Sequence, residues 1–139
     1  MKSVRAKAIV AVGVALALVA VFFMFGGGER YQSLTQEEAV KVMEGNPDCM
    51  VVDVRTEAEY AGGHIPGAVN VPLDRIEAGD VADVLPDKHQ PLLLYCYAGR
   101  RSVEAAKKLA SMGYTSAYEF GGIVDWTGEV TEAEAVPEE

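Results

Sequence analysis

The apolar residues of this chain fall into runs of three kinds. The first is a single uncharged stretch from Ala8 to Phe25, 18 residues long, with nothing polar at a helical period. The second kind is short and continuous. Cys49-Met50-Val51-Val52-Asp53-Val54 and Leu92-Leu93-Leu94-Tyr95 have the length and density of strands buried on both faces. Ala68 to Val71 and Ser116 to Phe120 read as two further short strands. The third kind repeats at helical spacing. Arg100 to Met112 places Val103, Ala106, Leu109 and Ala110 on one side and meets Gly113 as a C-terminal stop.

Between these runs the polar residues punctuate. Thr35-Gln36-Glu37-Glu38 is a T-x-x-E capping box, so a helix starts there, runs to Glu44 and stops near Gly45-Asn46-Pro47. Glu57 to Ala61 predicts one or two helical turns ended by Gly62-Gly63. Ile76 to Leu85 is weakly helical and closed by Pro86, and Gly121 to Trp126 predicts a short helix covering the sheet. Arg30 to Leu34 reads as a linker. Strands alternating with helices predict an α/β layer fold with a mainly parallel sheet. Ligands of such sheets bind beyond the carboxyl ends of the strands. One strand here ends in Asp53 and Arg55, another in Cys96.

The 139 residues allow one domain with an appendage. The appendage is residues 1–28. Lys2, Arg5 and Lys7 precede the apolar run, and Gly26-Gly27-Gly28 follows it. This describes either a single-pass membrane anchor through residues 8–25 or a secretory signal peptide. Either would carry the rest of the chain across the cytoplasmic membrane and leave the basic start inside. The expectation is thus a membrane protein with an extracytoplasmic domain, or a periplasmic or secreted one if the segment is cleaved. Removing the three basic residues of the appendage from the net charge of −9 leaves −12 on residues 29–139. A domain this acidic is a poor nucleic-acid binder. Thr127 to Glu139 holds five acids and no base, so residues 128–139 read as a disordered tail after a domain of residues 29–127. Two cysteines imply no disulfide framework. No metal-ligand cluster or nucleotide loop is present, so no metal or cofactor is implied.

Candidate chemistry centres on Cys96. It stands between a strand and a helix, so the loop Tyr97-Ala98-Gly99-Arg100-Arg101 presents backbone N–H groups around the sulfur just before a helix N-terminus. Such a nest and the helix dipole stabilise an anionic sulfur. Gly99 lets the backbone curl without a Cβ clash. Arg100 and Arg101 oppose the dipole, which favours acids in the first turn. A bound anion would remove that conflict, and for Arg101 we prefer that reading. Arg100 could equally be solvated and pair with Glu104 at i,i+4. The plain alternative for Cys96 is a small core residue. Asp53 and Arg55 could be a structural ion pair, and His64 alone is weak evidence of catalysis.

Four segments carry a resemblance. Val52-Asp53-Val54-Arg55 with Glu59-Tyr60, Gly63-His64-Ile65-Pro66-Gly67-Ala68-Val69-Asn70, Cys96-Tyr97-Ala98-Gly99-Arg100-Arg101-Ser102 and Gly121-Gly122-Ile123-Val124-Asp125-Trp126 together closely resemble a single-domain rhodanese over residues 32–127. The resemblance implies a rhodanese-like fold, a five-stranded mainly parallel sheet with helices on both faces. It implies sulfurtransferase chemistry, in which Cys96 takes the outer sulfur of a donor such as thiosulfate as a persulfide. A thiophilic acceptor, such as cyanide, a thiol or a protein, would then remove it. The amides of residues 97–101 would hold the persulfide, and Asp53, Arg55 and His64 would support the site. Related phosphatases and arsenate-handling enzymes of this fold carry C-x5-R. Here the spacing is Cys96-x4-Arg101, with Ser102 at the x5 position and Tyr95 before the cysteine. The shorter loop suits a persulfide better than a tetrahedral oxyanion.

Three functions compete: a sulfurtransferase, a persulfide-carrying or docking module with little small-molecule turnover, and a phosphatase. Cys49 is read as core. It starts its strand while Cys96 ends a parallel one, a separation of roughly 13–17 Å at about 3.3 Å per residue. A disulfide needs Cα atoms within about 7 Å.

Overall fold

The computed structural model of this chain describes residues 31–133. The anchor or signal expected over residues 8–25 lies outside them. Among the described residues no helix is long and apolar enough to cross a membrane.

Five parallel strands form one sheet in the order β1-β5-β4-β2-β3. They are β1 (Tyr31–Ser33), β2 (Met50–Asp53), β3 (Val69–Asn70), β4 (Leu92–Cys96) and β5 (Ala117–Gly122). The four main helices are α1 (Gln36–Gly45), α2 (Glu57–Ala61), α3 (Leu73–Glu77) and α4 (Arg100–Ser111). The expected rhodanese-like α/β fold is therefore observed.

Strand β4 is the middle of the sheet, and all five of its residues are buried. Its period-2 alternation divides the core. Leu92, Leu94 and Cys96 pack on one face with Val52, Val54, Ile76, Ala105, Ala106 and Leu109, which brings in α3 and α4. Leu93 and Tyr95 pack on the other with Ala39, Ile65, Ala68 and Phe120, under α1. The sheet is thus covered on both sides.

Local chemistry sets the element ends. Thr35 caps α1 and Thr56 caps α2, each in a full capping box with the glutamate three residues on. Two elements differ from their sequence pattern. Tyr31–Ser33 is an edge strand, not a linker, pairing with Ala117 to Glu119. The Ile76–Leu85 helix is replaced by α3, which begins after Pro72 and ends at Glu77. Gly79 then adopts a positive φ of 76°, and turns bring Val81 and Leu85 into the core. Their apolar spacing is met by burial without a continuous helix. Gly121–Trp126 contributes only a single 3-10 turn, Ile123–Asp125.

The first residues of the acidic tail are placed on the domain. Thr131 exchanges both backbone hydrogen bonds with His64, at 2.8 and 2.9 Å, and Ala133 N–H donates to Ala61 O. Composition alone predicts disorder from residue 128, whereas these backbone contacts order residues 131 and 133. Residues 134–139 lie outside the described residues.

Candidate active site

Cys96 is the last residue of β4 and is 1% exposed. Its sulfur has two hydrogen-bond partners among the described residues. Gly99 N–H donates to Sγ at 3.0 Å, and Sγ lies 3.7 Å from Ser102 Oγ. Gly99 has φ 102°, so the loop turns through a left-handed residue directly before α4. This is the curl expected of that glycine, and it puts a backbone donor on the sulfur beside a helix N-terminus.

The back of the loop is held by the end of β5. The pairing of β4 with β5 slips between Leu94 and Cys96, where two steps on β4 face three on β5. Bulges of this kind re-aim residues near functional sites. Beyond the slip, Cys96 faces Gly122. A Cβ on Gly122 would overlap the Tyr97 carbonyl and lie 2.6 Å from Ala98 Cα. Val124 N–H donates to that same Tyr97 carbonyl at 3.1 Å. Tyr97 and Val124 are themselves half exposed, an apolar rim beside the cysteine loop.

The two arginines behave differently from each other. Arg100 is almost fully exposed, with its Nε 3.8 Å from Glu104 Oε1, the i,i+4 arrangement. Arg101 makes a two-pronged bridge to Glu59 on α2, at 2.8 and 2.9 Å. The conflict between Arg101 and the helix dipole is thus met by a carboxylate of the chain itself, where the sequence favoured a bound anion. The Arg101 hydrogen bonds, with further ones from Thr56, hold the Glu59 carboxyl down at about 2. Arg101 is raised in turn, first by Glu59 and further by the charges of Cys96 and Asp53.

Asp53, Arg55 and His64 form a second group. Asp53 is fully buried and Arg55 is 5% exposed. The Asp53 carboxylate accepts from Arg55 Nη2 at 2.7 Å, from Arg55 Nε, and from the Arg55 backbone N–H at 2.9 Å. Arg55 Nη2 also donates to Gly63 O at 2.6 Å, and its guanidinium lies over the Tyr95 ring. Burial first, and then the Asp53 carboxylate, raise the Tyr95 hydroxyl well above its usual range. That hydroxyl accepts from Ile65 N–H at 3.0 Å. His64 stacks on Tyr60 with centroids 3.7 Å apart, and its Nδ1 lies 2.9 Å from Tyr60 O. These contacts fix the Gly63–His64–Ile65 corner. None of the three residues hydrogen-bonds Cys96: Asp53 and Arg55 lie against Tyr95, the residue before the cysteine, and His64 lies against Tyr60. The Arg101–Glu59 bridge joins this group to the cysteine loop.

Three further polar residues stand at the site beyond those that the sequence pattern singles out. The signal for Glu59 is the Thr56-x-x-Glu59 capping box. Ser102 holds the x5 position after Cys96. It is fully buried, and its Oγ lies 2.9 Å from Gly99 O and 3.3 Å from Glu119 Oε2. Glu119 is 7% exposed in the middle of β5, an acid inside a buried strand. Cys49 is free, and the register puts it at the other end of the sheet from Cys96. It lines a cleft with Met43, Asn46, Pro66 and Gln90. Burial pushes its thiol up. Among the described residues no cluster could hold a metal ion.

The profile of the rhodanese-like domain matches residues 35–129. The chain is 39% identical over 74 residues to thiosulfate sulfurtransferase PspE of Escherichia coli strain K12, covering 53% of this chain and 70% of that protein. It is 35% identical over 108 residues to the thiosulfate:glutathione sulfurtransferase of Saccharomyces cerevisiae, covering 68% of this chain and 77% of that one. A solved Escherichia coli rhodanese with anions superposes with a TM-score of 0.55 at 35% identity, covering 61% of this chain and 99% of the other. With the sheet order, the Cys96 loop and a match across most of its described length, the chain belongs to the rhodanese-like domain family.

Proposed function

We propose that this chain is a sulfurtransferase that moves a sulfane sulfur from a thiosulfate-like donor to a thiophilic acceptor through a persulfide on Cys96. One observation carries the reading: the Cys96 sulfur ends the central strand and accepts the Gly99 N–H at 3.0 Å, immediately before the N-terminus of α4. The names of the two sulfurtransferase relatives support a thiosulfate donor and a thiol acceptor.

In the first step the Cys96 thiolate attacks the outer sulfur of thiosulfate. The new Sγ–S bond forms as the bond to the sulfonate breaks, and sulfite leaves with the electron pair. In the second step an acceptor such as cyanide attacks the outer sulfur. The Sγ–S bond breaks, thiocyanate leaves, and the thiolate returns. The residue 97–101 amides and the helix N-terminus stabilise the negative charge of the persulfide. In this reading Arg101 sets the loop through Glu59, Arg100 adds positive potential at the mouth, and Asp53, Arg55 and His64 hold the neighbouring corner.

The test is turnover of thiosulfate and cyanide by the purified chain. Cys96→Ala abolishes it on this reading; activity equal to wild type would show the assignment to be wrong. A second reading is a persulfide carrier that serves a protein acceptor. The exposed Tyr97 and Val124 beside the cysteine favour it, as an apolar contact for such a partner. Stable persulfide with negligible small-molecule turnover would select it. We place the domain on the extracytoplasmic side of a membrane, from the basic start and the apolar run of residues 8–25. Fractionation of the expressed chain checks this: recovery in the cytosol would refute it.

A further inference from the structure

Behind the sulfur lies a buried polar cluster that the mechanism above leaves unused. Ser102 Oγ is within hydrogen-bond reach of Cys96 Sγ at 3.7 Å, Gly99 O at 2.9 Å, Glu119 Oε2 at 3.3 Å and Gly121 O at 3.4 Å. Glu119 Oε2 also accepts Gly121 N–H at 3.1 Å. That oxygen therefore serves as an acceptor, and it competes with Gly99 O for the single Ser102 proton. Glu119 is 7% exposed, and among the described residues it makes no ion pair. Burying a carboxyl group costs free energy unless hydrogen bonds answer it, and here Gly121 N–H and Ser102 are the groups that do. Glu119 stands in register opposite Leu94, just before the slip in the pairing, and Gly121 N–H turns back onto its Oε2.

A serine hydroxyl has one proton to donate. With Cys96 as a thiol, the S–H can donate to Ser102 Oγ, and Ser102 donates onward to Gly99 O or Glu119. Once the thiol proton has left to solvent, the Ser102 hydroxyl must turn to serve the sulfur and give up that bond. Ionisation also creates a second negative group no more than about 7 Å from the Glu119 carboxylate, by the two distances through Ser102.

We propose that Ser102 and Glu119 form a positioning pair that holds the Cys96 proton and sets the pH at which this sulfur becomes nucleophilic. The pair opposes the Gly99 amide and the helix N-terminus, which favour the anion. The other charged groups around the loop are already matched. Arg101 is bridged to Glu59, Arg100 faces Glu104, and Asp53 holds Arg55. On the β1 side, Lys107 lies over the Tyr31 ring. The proposal rests on Cys96 as the reacting group.

The experiment is the alkylation rate of Cys96 by iodoacetamide as a function of pH, in the full chain, read by peptide mass so that Cys49 is scored separately. No sulfur donor or acceptor is involved, so failure of sulfur transfer would not affect it. Glu119→Gln keeps the shape and an acceptor oxygen but removes the charge. At an effective dielectric of about 20, its midpoint falls by about 1–2 pH units. Below the midpoint, alkylation then rises roughly tenfold per unit. Glu119→Asp, which keeps the charge, returns the midpoint toward wild type. The proposal is overturned if Glu119→Gln titrates like wild type, or if the aspartate variant shifts as far as the glutamine variant.

Discussion

Replacing Asp53 with alanine strands a cation inside the protein. Arg55 is 5% exposed and its guanidinium gives two of its nitrogens to Asp53. After the substitution it keeps Gly63 O and the Tyr95 ring. Neither carries a compensating charge. Removing one partner of a buried pair costs about 3–5 kcal/mol. Domains of this size are stable by about 5–15 kcal/mol, so the loss is about a fifth or more of the total. With a urea slope of about 1–2 kcal/mol/M, the unfolding midpoint falls by about 1.5 M or more. Trp126, the single tryptophan, packs near Phe120 and reports the transition by fluorescence. The double variant Asp53→Ala/Arg55→Leu removes both charges and should recover at least half of the loss, because the uncompensated charge is what costs. A midpoint for Asp53→Ala within about 0.5 M of wild type would refute the reasoning. So would a double variant as unstable as the single one.

Three further outcomes follow from other contacts. Glu59 has a depressed folded value, about 2 against 4.5, so its contribution is full above pH 4.5 and is lost as pH falls toward 2. The pair is a third exposed, so solvent screening limits it to about 1 kcal/mol. Glu59→Gln should therefore lower the thermal midpoint at pH 7 and match wild type near pH 2. Gly122→Ala forces a Cβ into the Tyr97 carbonyl, so the cysteine loop must open. Overpacking of this kind costs about 1–3 kcal/mol, and turnover should fall at least about tenfold. Cys49→Ala, at the far end of the sheet, should leave turnover within about twofold of wild type and cost about 1 kcal/mol in a urea melt.

Much of this fold is written locally. The Thr35 capping box, the buried run of β4 and the stop at Gly113 each depend on a few neighbouring residues, and each predicts an element within a residue or two of its place. Tyr31–Ser33 escaped because a three-residue edge strand has no apolar run; its partner on β5 makes it a strand. Ile76, Val81 and Leu85 misled because burial fixes the spacing of apolar residues without dictating the backbone between them. At the site, Cys96 and Gly99 were legible because a strand, a turn and a helix start adjoin in sequence. The Arg101–Glu59 bridge spans 42 residues and the Ser102–Glu119 contact 17. Both depend on where α2 and β5 pack, and for β5 on a one-residue bulge. Composition correctly marked Arg101 as unusual but could not name the carboxylate that answers it.

The central claim is that Cys96 carries sulfur, and intact mass tests it most directly. The full chain is incubated with thiosulfate, freed of excess donor and weighed under non-reducing conditions. The account predicts a gain of one sulfur atom, present in Cys49→Ala, absent in Cys96→Ala and discharged by cyanide. No gain in the wild type, or the same gain in Cys96→Ala, would contradict it.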